Sequence, residues 1–94
     1  MPFHVYILHS KKLNSFYVGS TSNIANRLNE HNNGESTYTS TGTPWTLIWT
    51  TSKPTRPEAE ILELKIKNLS SLRKIRFMLK YRDGIVDPSF FVLK

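Results

Sequence analysis

Apolar residues recur with two different spacings along the chain, and each spacing predicts one type of secondary structure. Residues 3–9 are rich in β-branched and aromatic side chains and predict a strand. The polar stretch 11–15 predicts a turn, and the Phe-Tyr-Val-Gly sequence at 16–19 predicts a second strand that pairs with the first as a hairpin. Residues 45–51 have the same strong β propensity and predict a third strand.

Three other segments have helical apolar spacing together with the residues that start and stop helices. Gly34 stands where the first of them is expected to end, and residues 34–44, mostly Ser, Thr, Gly and Pro, predict a loop. The predicted helices run from a cap at 21–23 to about Asn32, from a cap at Thr55 to about Leu69, and from a cap at 70–71 to about Tyr81.

The resulting order is strand, strand, helix, strand, helix, helix. This order predicts an α+β fold, a small three-stranded antiparallel sheet flanked by helices. The length of 94 residues is enough for one domain, which we place at residues 1–82. The tail, residues 83–94, is expected to dock on that domain as an extended segment.

Composition narrows the possible functions. The chain has no cysteine, which excludes disulfides, cysteine-bound zinc and a catalytic thiol. No apolar stretch approaches the roughly 18 residues of a membrane span, and the first residues lack the features of a signal peptide. We therefore expect a cytoplasmic protein with no membrane partner. The formal net charge of +6 favours a polyanionic partner, of which nucleic acid is the commonest.

Two tyrosines occupy the predicted hairpin. Tyr6 shares a strand face with Leu8, and Tyr17 shares a face with Gly19, because side chains alternate along a strand. If the strands pair, the two phenols converge on one side of the sheet. The alternative is a pair of ordinary sheet tyrosines. Gly19 either makes a tight turn or allows close backbone approach.

The first helix carries a candidate pair of functional side chains on a face beside its apolar one. Ile24 and Leu28 are four residues apart and are expected to face inward, and Arg27 and His31 share the neighbouring face. An arginine can hold a phosphate with two hydrogen bonds and stabilise developing charge. A histidine can donate to phosphate or relay a proton. The alternative is an exposed arginine and a surface histidine beside Glu30.

In the second helix, Glu63 falls at the edge of the apolar stripe, while Glu60 lies farther toward solvent, with Arg56 as its nearest candidate ion partner. A carboxylate at that edge can reach a partly sheltered site and serve as a single ligand for Mg²⁺. The alternative is an ordinary surface acid. The apolar stripe is formed by Ala59, Leu62, Ile66 and Leu69.

Together, these residues resemble the GIY-YIG nuclease family, most closely its compact bacterial single-domain members. The resemblance covers residues 3–70, with the two short motifs at Val5-Tyr6 and Tyr17-Val18-Gly19 in the first two strands. Its ordered set of matching residues is Tyr6, Tyr17, Gly19, Arg27, His31 and Glu63.

The resemblance implies a chemistry for each of these positions. Glu63 would hold one divalent ion, Mg²⁺ or Mn²⁺, against the scissile phosphate, and Arg27 would steady the developing negative charge. One of Tyr6 and Tyr17 would take the proton from the attacking water while the other positions phosphate or water, with His31 assisting. A free tyrosine has a pKa of about 10, so a tyrosine base needs help from neighbouring groups.

Residues 65–82 contain seven of the thirteen basic residues and no acid. Leu72, Ile75 and Leu79 are expected to form the buried stripe of this segment, which leaves most of the bases outside. The alternatives are a solvated helix face or a basic amphipathic helix on a membrane surface. The residues predicted to bind DNA are Lys65, Lys67, Arg73, Lys74, Arg76 and Lys80.

The sequence thus predicts a metal-dependent endonuclease that hydrolyses DNA phosphodiester bonds, directed by DNA structure and linked to DNA repair or processing. Two positions depart from the family pattern: His4 replaces the first glycine of the signature, and Ser20 stands where repair incision nucleases often have lysine. These departures motivate an alternative, a non-catalytic DNA-binding domain that keeps the fold. A protein-interaction module that uses the basic helices is a third interpretation.

Overall fold

The chain folds around a three-stranded antiparallel sheet in the order β2-β1-β3. The computed structural model describes residues 2–34 and 39–92. Short 3-10 turns lie at Ser40–Gly42 and Arg82–Gly84. The strands are β1 (Phe3–Ser10), β2 (Ser15–Thr21) and β3 (Trp45–Lys53), and the helices are α1 (Ile24–Asn32), α2 (Arg56–Lys67), α3 (Ser71–Lys80) and α4 (Ser89–Val92). The predicted fold class and element order are therefore confirmed, with one short helix added.

The helices begin where capping side chains are available. Asn23, Thr55 and Ser70 each accept a hydrogen bond from the backbone N–H three residues later, so they satisfy donors that the first turn leaves without partners. Gly34 follows the end of α1 with a φ of +74°, a conformation that glycine adopts at little cost. Of the predicted loop 34–44, residues 35–38 lie outside the described residues.

The sheet is buried on both faces. The larger cluster lies on the α2 side and combines residues of the sheet with residues of α2 and α3. The smaller cluster, on the opposite face, packs Tyr6, Leu8 and Trp45 against α1. A register shift beside Ile7 and Leu8 leaves Ile48 without a paired residue on β1, as in a β-bulge. The members of the larger cluster are Val5, Ile7, Val18, Ile48, Trp49, Ala59, Ile66 and Met78.

Two expectations about the C-terminal part are wrong. Leu72 is 57% exposed, and Met78 is fully buried, because α3 turns Met78 rather than Leu72 toward the sheet. The tail is not extended throughout, since Ser89–Val92 form α4. The tail contacts β3 through a bridge between Ile85 and Trp49, and its two phenylalanines pack against the larger cluster. None of the helices in the described ranges has the length and apolar character of a membrane span.

Candidate active site

The two tyrosines of the hairpin lie on the α1 face of the sheet, with ring centroids 6.3 Å apart. Tyr6 is 2% exposed, while Tyr17 is only partly buried. Tyr6 pairs across the strands with Gly19, and a Cβ at Gly19 would lie 2.5 Å from the Tyr6 hydroxyl and 3.1 Å from the Tyr17 ring. Glycine at this position therefore allows both rings to lie across the β2 backbone.

His31 is fully buried, so it is not the surface histidine that the alternative interpretation described. Its Nε2 lies 3.1 Å from the Tyr6 hydroxyl, and its Nδ1 lies 2.8 Å from Thr39 Oγ1. The imidazole also contacts Tyr17, with 4.8 Å between ring centroids. Both ring nitrogens thus have partners, and His31 holds the two tyrosines in one cluster.

Arg27 joins this cluster from the same helix. Its guanidinium interacts with the hydroxyls of Tyr6 and Tyr17, and Nη1 lies 3.1 Å from Glu30 Oε1. The hydrogen bond to Tyr6 is the main reason that the pKa of Arg27 is raised. The side chain remains 42% exposed, so the guanidinium connects the tyrosine cluster to the surface.

Burial sets the protonation states of the cluster. Loss of solvation raises the pKa of Tyr6 to about 12, against the opposing effect of the hydrogen bond from Arg27. Burial lowers the pKa of His31, and the nearby positive charge of Arg27 lowers it further. At neutral pH both groups are therefore uncharged. The network is complete when His31 Nδ1–H donates to Thr39 and the Tyr6 hydroxyl donates to Nε2.

Glu63 approaches from the other face of the sheet. The Ser20 hydroxyl donates to Glu63 Oε1 at 2.6 Å, and Lys67 Nζ lies 2.7 Å from Oε2. Ser20 follows Gly19, and consecutive strand residues point to opposite faces, so the carboxylate lies just across the strand from the tyrosine cluster. The negative charge of Glu63 contributes to the raised pKa of Tyr6. The Glu63 side chain is 19% exposed, consistent with its predicted place at the edge of the stripe.

Glu60, one turn earlier, is exposed as expected. In residues 2–34 and 39–92 it forms no ion pair with Arg56, whose guanidinium lies over the Phe3 ring at 4.9 Å from the centroid. Glu60 and Arg56 both line a cavity of about 210 Å³ that Ser20 and Arg27 also border. Glu60 and Glu63 therefore occupy different environments.

The six cations predicted to bind DNA fall into two groups. Lys67 is paired with Glu63, and Lys74 Nζ donates to the carbonyl oxygens of Leu69 at 2.5 Å and Lys67 at 3.5 Å, near the end of α2. Burial lowers the pKa of Lys74. The other four are exposed: Lys65, Arg73, Arg76 and Lys80. DNA binding by these six side chains stays a prediction.

Two residues of the site were not predicted from the sequence. In the sequence Ser20 stands out only as a departure from the family pattern, although strand alternation puts it on the face opposite Gly19 and thus toward α2. Thr39 had no signal, because a threonine in a Ser- and Thr-rich loop is indistinguishable from its neighbours. Its hydroxyl is nevertheless the hydrogen-bond partner of Nδ1 of the buried His31.

The donor set fits a hard divalent cation bound through few protein ligands. In the described part of the chain, no three side chains of His, Cys, Asp or Glu cluster as a metal cage. Glu63 offers carboxylate oxygens beside the Ser20 hydroxyl, and all of these are oxygen donors. Mg²⁺ is commonly held by one or two carboxylates and completes its shell with water and phosphate. One metal ligand, Glu63, is therefore compatible with this site.

Comparison with known proteins identifies the family. The GIY-YIG catalytic domain model matches residues 2–76. The chain belongs to the GIY-YIG family. It is 38% identical over 72 residues to a UPF0213 protein of Halobacterium salinarum, and this match covers 76% of the chain and 92% of the relative. It is 34% identical over 76 residues to a UPF0213 protein of Staphylococcus haemolyticus, covering 80% of this chain and 92% of the relative.

A solved structure supports the same assignment. The solution NMR structure of a UPF0213 protein from Bacillus halodurans has a TM-score of 0.54 and 33% sequence identity, and the match covers 83% of each chain. Both the family and the fold predicted from the sequence are thus confirmed. Membership in this family of nuclease catalytic domains indicates a nuclease-like function.

Proposed function

We propose that the protein is an endonuclease that hydrolyses DNA phosphodiester bonds with one divalent cation, Mg²⁺ or Mn²⁺, held by Glu63. One observation carries the proposal: side chains of β1, β2, α1 and α2 converge on the Gly19-Ser20 step of β2. The tyrosine cluster lies over Gly19, and the carboxylate is held at Ser20. This arrangement places groups for proton transfer, charge stabilisation and metal binding around one short segment.

Within this site, Tyr17 is the better candidate for the residue that takes a proton from the attacking water. Tyr17 is partly exposed, whereas Tyr6 is 2% exposed. A general base must be within reach of the proton that it abstracts. The Arg27 guanidinium interacts with the Tyr17 hydroxyl, so the two groups can act on the same phosphate and water.

Tyr6 and His31 then serve to position the reacting groups. With a pKa of about 12, Tyr6 keeps its proton, and the neutral His31 accepts a hydrogen bond from it. His31 is in turn fixed by Thr39. The chain of hydrogen bonds holds Tyr6 under Arg27, so the guanidinium is pre-oriented toward the surface where a phosphate would bind.

Arg27 and Glu63 supply the opposite charges that phosphoryl chemistry needs. The guanidinium stabilises negative charge that develops on the phosphate oxygens. The divalent cation bound at Glu63 would act as a Lewis acid on the phosphate and the leaving oxygen. The expected products, implied by the family, carry a 3′ hydroxyl and a 5′ phosphate. A link to DNA repair or processing and a cytoplasmic location are part of the same proposal.

The substrate is expected to be recognised by structure more than by base sequence. The exposed cations Lys65, Arg73, Arg76 and Lys80 would contact phosphates, and phosphate contacts carry no direct sequence information. A panel of branched, nicked, flapped and linear DNAs, incubated with and without Mg²⁺ or Mn²⁺, tests the proposal. Metal-dependent cutting by the parent and none by Glu63→Gln is the expected result.

The alternative function is a DNA-binding domain that keeps the fold without the activity, and it is motivated by His4 and Ser20. His4 is partly buried at the start of β1, and Ser20 is the donor to Glu63. Salt-dependent binding of the same DNAs without cutting under any metal condition would favour this alternative. Cutting that disappears in Glu63→Gln would exclude it.

A further inference from the structure

Both oxygens of the Glu63 carboxylate already have partners in the protein. The Ser20 hydroxyl donates to Oε1 at 2.6 Å, and Lys67 Nζ lies 2.7 Å from Oε2. Lys67 is one helical turn after Glu63, so the pair forms within α2 without any change in the sheet. The carboxylate is thus oriented by β2 and neutralised by its own helix.

The two partners differ in how easily a divalent cation can replace them. Ser20 belongs to a paired strand and donates a neutral hydrogen bond that can persist when the other oxygen binds a metal. Lys67 places a positive charge on the oxygen that faces it, and a second cation there would be repelled. Since the Lys67 side chain is 45% exposed, its pairing with Glu63 is weak enough to be exchanged.

A destination for the displaced ammonium lies beside it. A cavity of about 450 Å³ is bordered by Tyr17, Lys67 and Lys74 together with Phe16 and Val18. Lys74 is held at the end of α2 by the carbonyl oxygens of Leu69 and Lys67, so its charge stays at one wall of this cavity. An anion in the cavity would lie near the ammonium groups of Lys67 and Lys74, which suits a phosphate of the DNA strand.

We propose that Lys67 is a positioning residue with two alternative partners, Glu63 before the divalent cation binds and a substrate phosphate afterwards. The proposal rests on the proposed function, because it requires that Glu63 hold the cation. In the free protein Lys67 keeps the carboxylate neutralised and in place. When the cation takes Oε2, the freed ammonium turns to the cavity beside Tyr17 and binds the strand next to the reacting phosphate.

Binding of Mn²⁺, measured by electron paramagnetic resonance without DNA, tests the first half. Lys67→Met should bind Mn²⁺ roughly two- to fivefold more tightly than the parent, the factor expected for removing a partly exposed ion-pair partner. Lys12→Met is the charge-matched control, since Lys12 is exposed in the β1–β2 turn at the opposite end of the hairpin from Ser20. Equal Mn²⁺ affinity of Lys67→Met and Lys12→Met would overturn the proposal.

Single-turnover cleavage tests the second half. Lys67→Met should cut at least about tenfold more slowly at saturating Mn²⁺, the factor for losing one hydrogen bond to a charged group. Lys67→Arg keeps the charge and should restore most of both properties. A merely structural lysine would not show tighter metal binding together with slower cutting, and Lys67→Met cutting at the parental rate would overturn the proposal.

A third variant separates this proposal from the function on which it rests. If Glu63→Gln binds Mn²⁺ as tightly as the parent, the metal assignment is wrong, whatever Lys67 does. If Glu63→Gln loses Mn²⁺ but Lys67→Met behaves like Lys12→Met, the metal site stands and the role of Lys67 is wrong.

Discussion

Replacing Glu63 by glutamine changes one oxygen of the candidate metal ligand into an amide nitrogen and removes its charge. The side-chain shape is unchanged, and the remaining amide oxygen can still accept the hydrogen bond from Ser20. The ion pair with Lys67 is lost. The variant therefore isolates the charge that a hard divalent cation requires.

The structural cost of this change is small compared with its expected effect on cutting. The two side chains are 45% and 19% exposed, so their ion pair stabilises the fold by less than about 1 kcal/mol. In a domain of this size that corresponds to a Tm decrease of less than about 8 °C. Loss of one group that stabilises charge in the transition state lowers the rate by roughly 10²–10³. Glu63→Gln is expected to lose the metal in addition to its own charge, so its cleavage rate should fall at least about 10³-fold.

The assay is single-turnover cleavage of the DNA that the parent cuts, with thermal unfolding and DNA affinity measured on the same preparations. DNA affinity should be unchanged or slightly higher, because a negative charge near phosphate is removed. Glu60→Gln is the matched control: it removes an exposed acid from the same helix and should cut like the parent. If Glu63→Gln cuts at the parental rate, the metal lies elsewhere.

Four further predictions concern the rest of the site. Arg27→Ala should melt like the parent and cut roughly 10²-fold more slowly, and parental cutting would remove Arg27 from the mechanism. Gly19→Ala should lower the free energy of unfolding, measured in urea, by about 1–3 kcal/mol, because the new Cβ would lie 2.5 Å from the buried Tyr6 hydroxyl. An unchanged value would show that the rings of Tyr6 and Tyr17 can move aside. Burial lowers the pKa of His31 in the folded state, so protonation favours unfolding. The free energy of unfolding should therefore fall as the pH drops below about 6.5, the pKa of histidine in the unfolded chain. A flat stability profile between about pH 7.5 and 5.5 would contradict the burial argument. Reversing Arg73 and Arg76 to glutamate should weaken DNA binding and flatten its salt dependence in a fluorescence anisotropy titration, whereas an unchanged salt slope would exclude this surface.

Arg73 and Arg76 are the test positions on α3 because Lys74, in the same helix, has a structural role. The sequence alone does not distinguish Lys74 from Arg76, since both belong to the same acid-free segment. In the structure Lys74 donates to the carbonyl oxygens of Leu69 and Lys67 at and just after the end of α2, so its reversal to glutamate would damage the fold as well as the charge of the surface. Arg73 is exposed, so reversing its charge changes the surface without removing such a structural contact.

Local patterns in the sequence determined the elements and much of the candidate site. Strand alternation placed Tyr6 and Tyr17 on one face, and helical spacing placed Glu63 at the edge of the buried stripe of α2. Capping residues located the helix starts to within one or two residues, because a cap acts on donors only two or three residues away. These features depend on neighbours close in the chain, so they can be recognised from the sequence.

Tertiary structure decided the properties that depend on residues far apart in the chain. Ser20 and Glu63 are 43 positions apart, and Tyr6 and His31 are 25 apart, so no local pattern joins them. The sequence could not decide whether His31 was buried, because helical spacing alone does not show how closely α1 lies against the sheet. Packing of α1 on the tyrosine face excludes water from His31, and this burial sets its protonation state and its place in the candidate site.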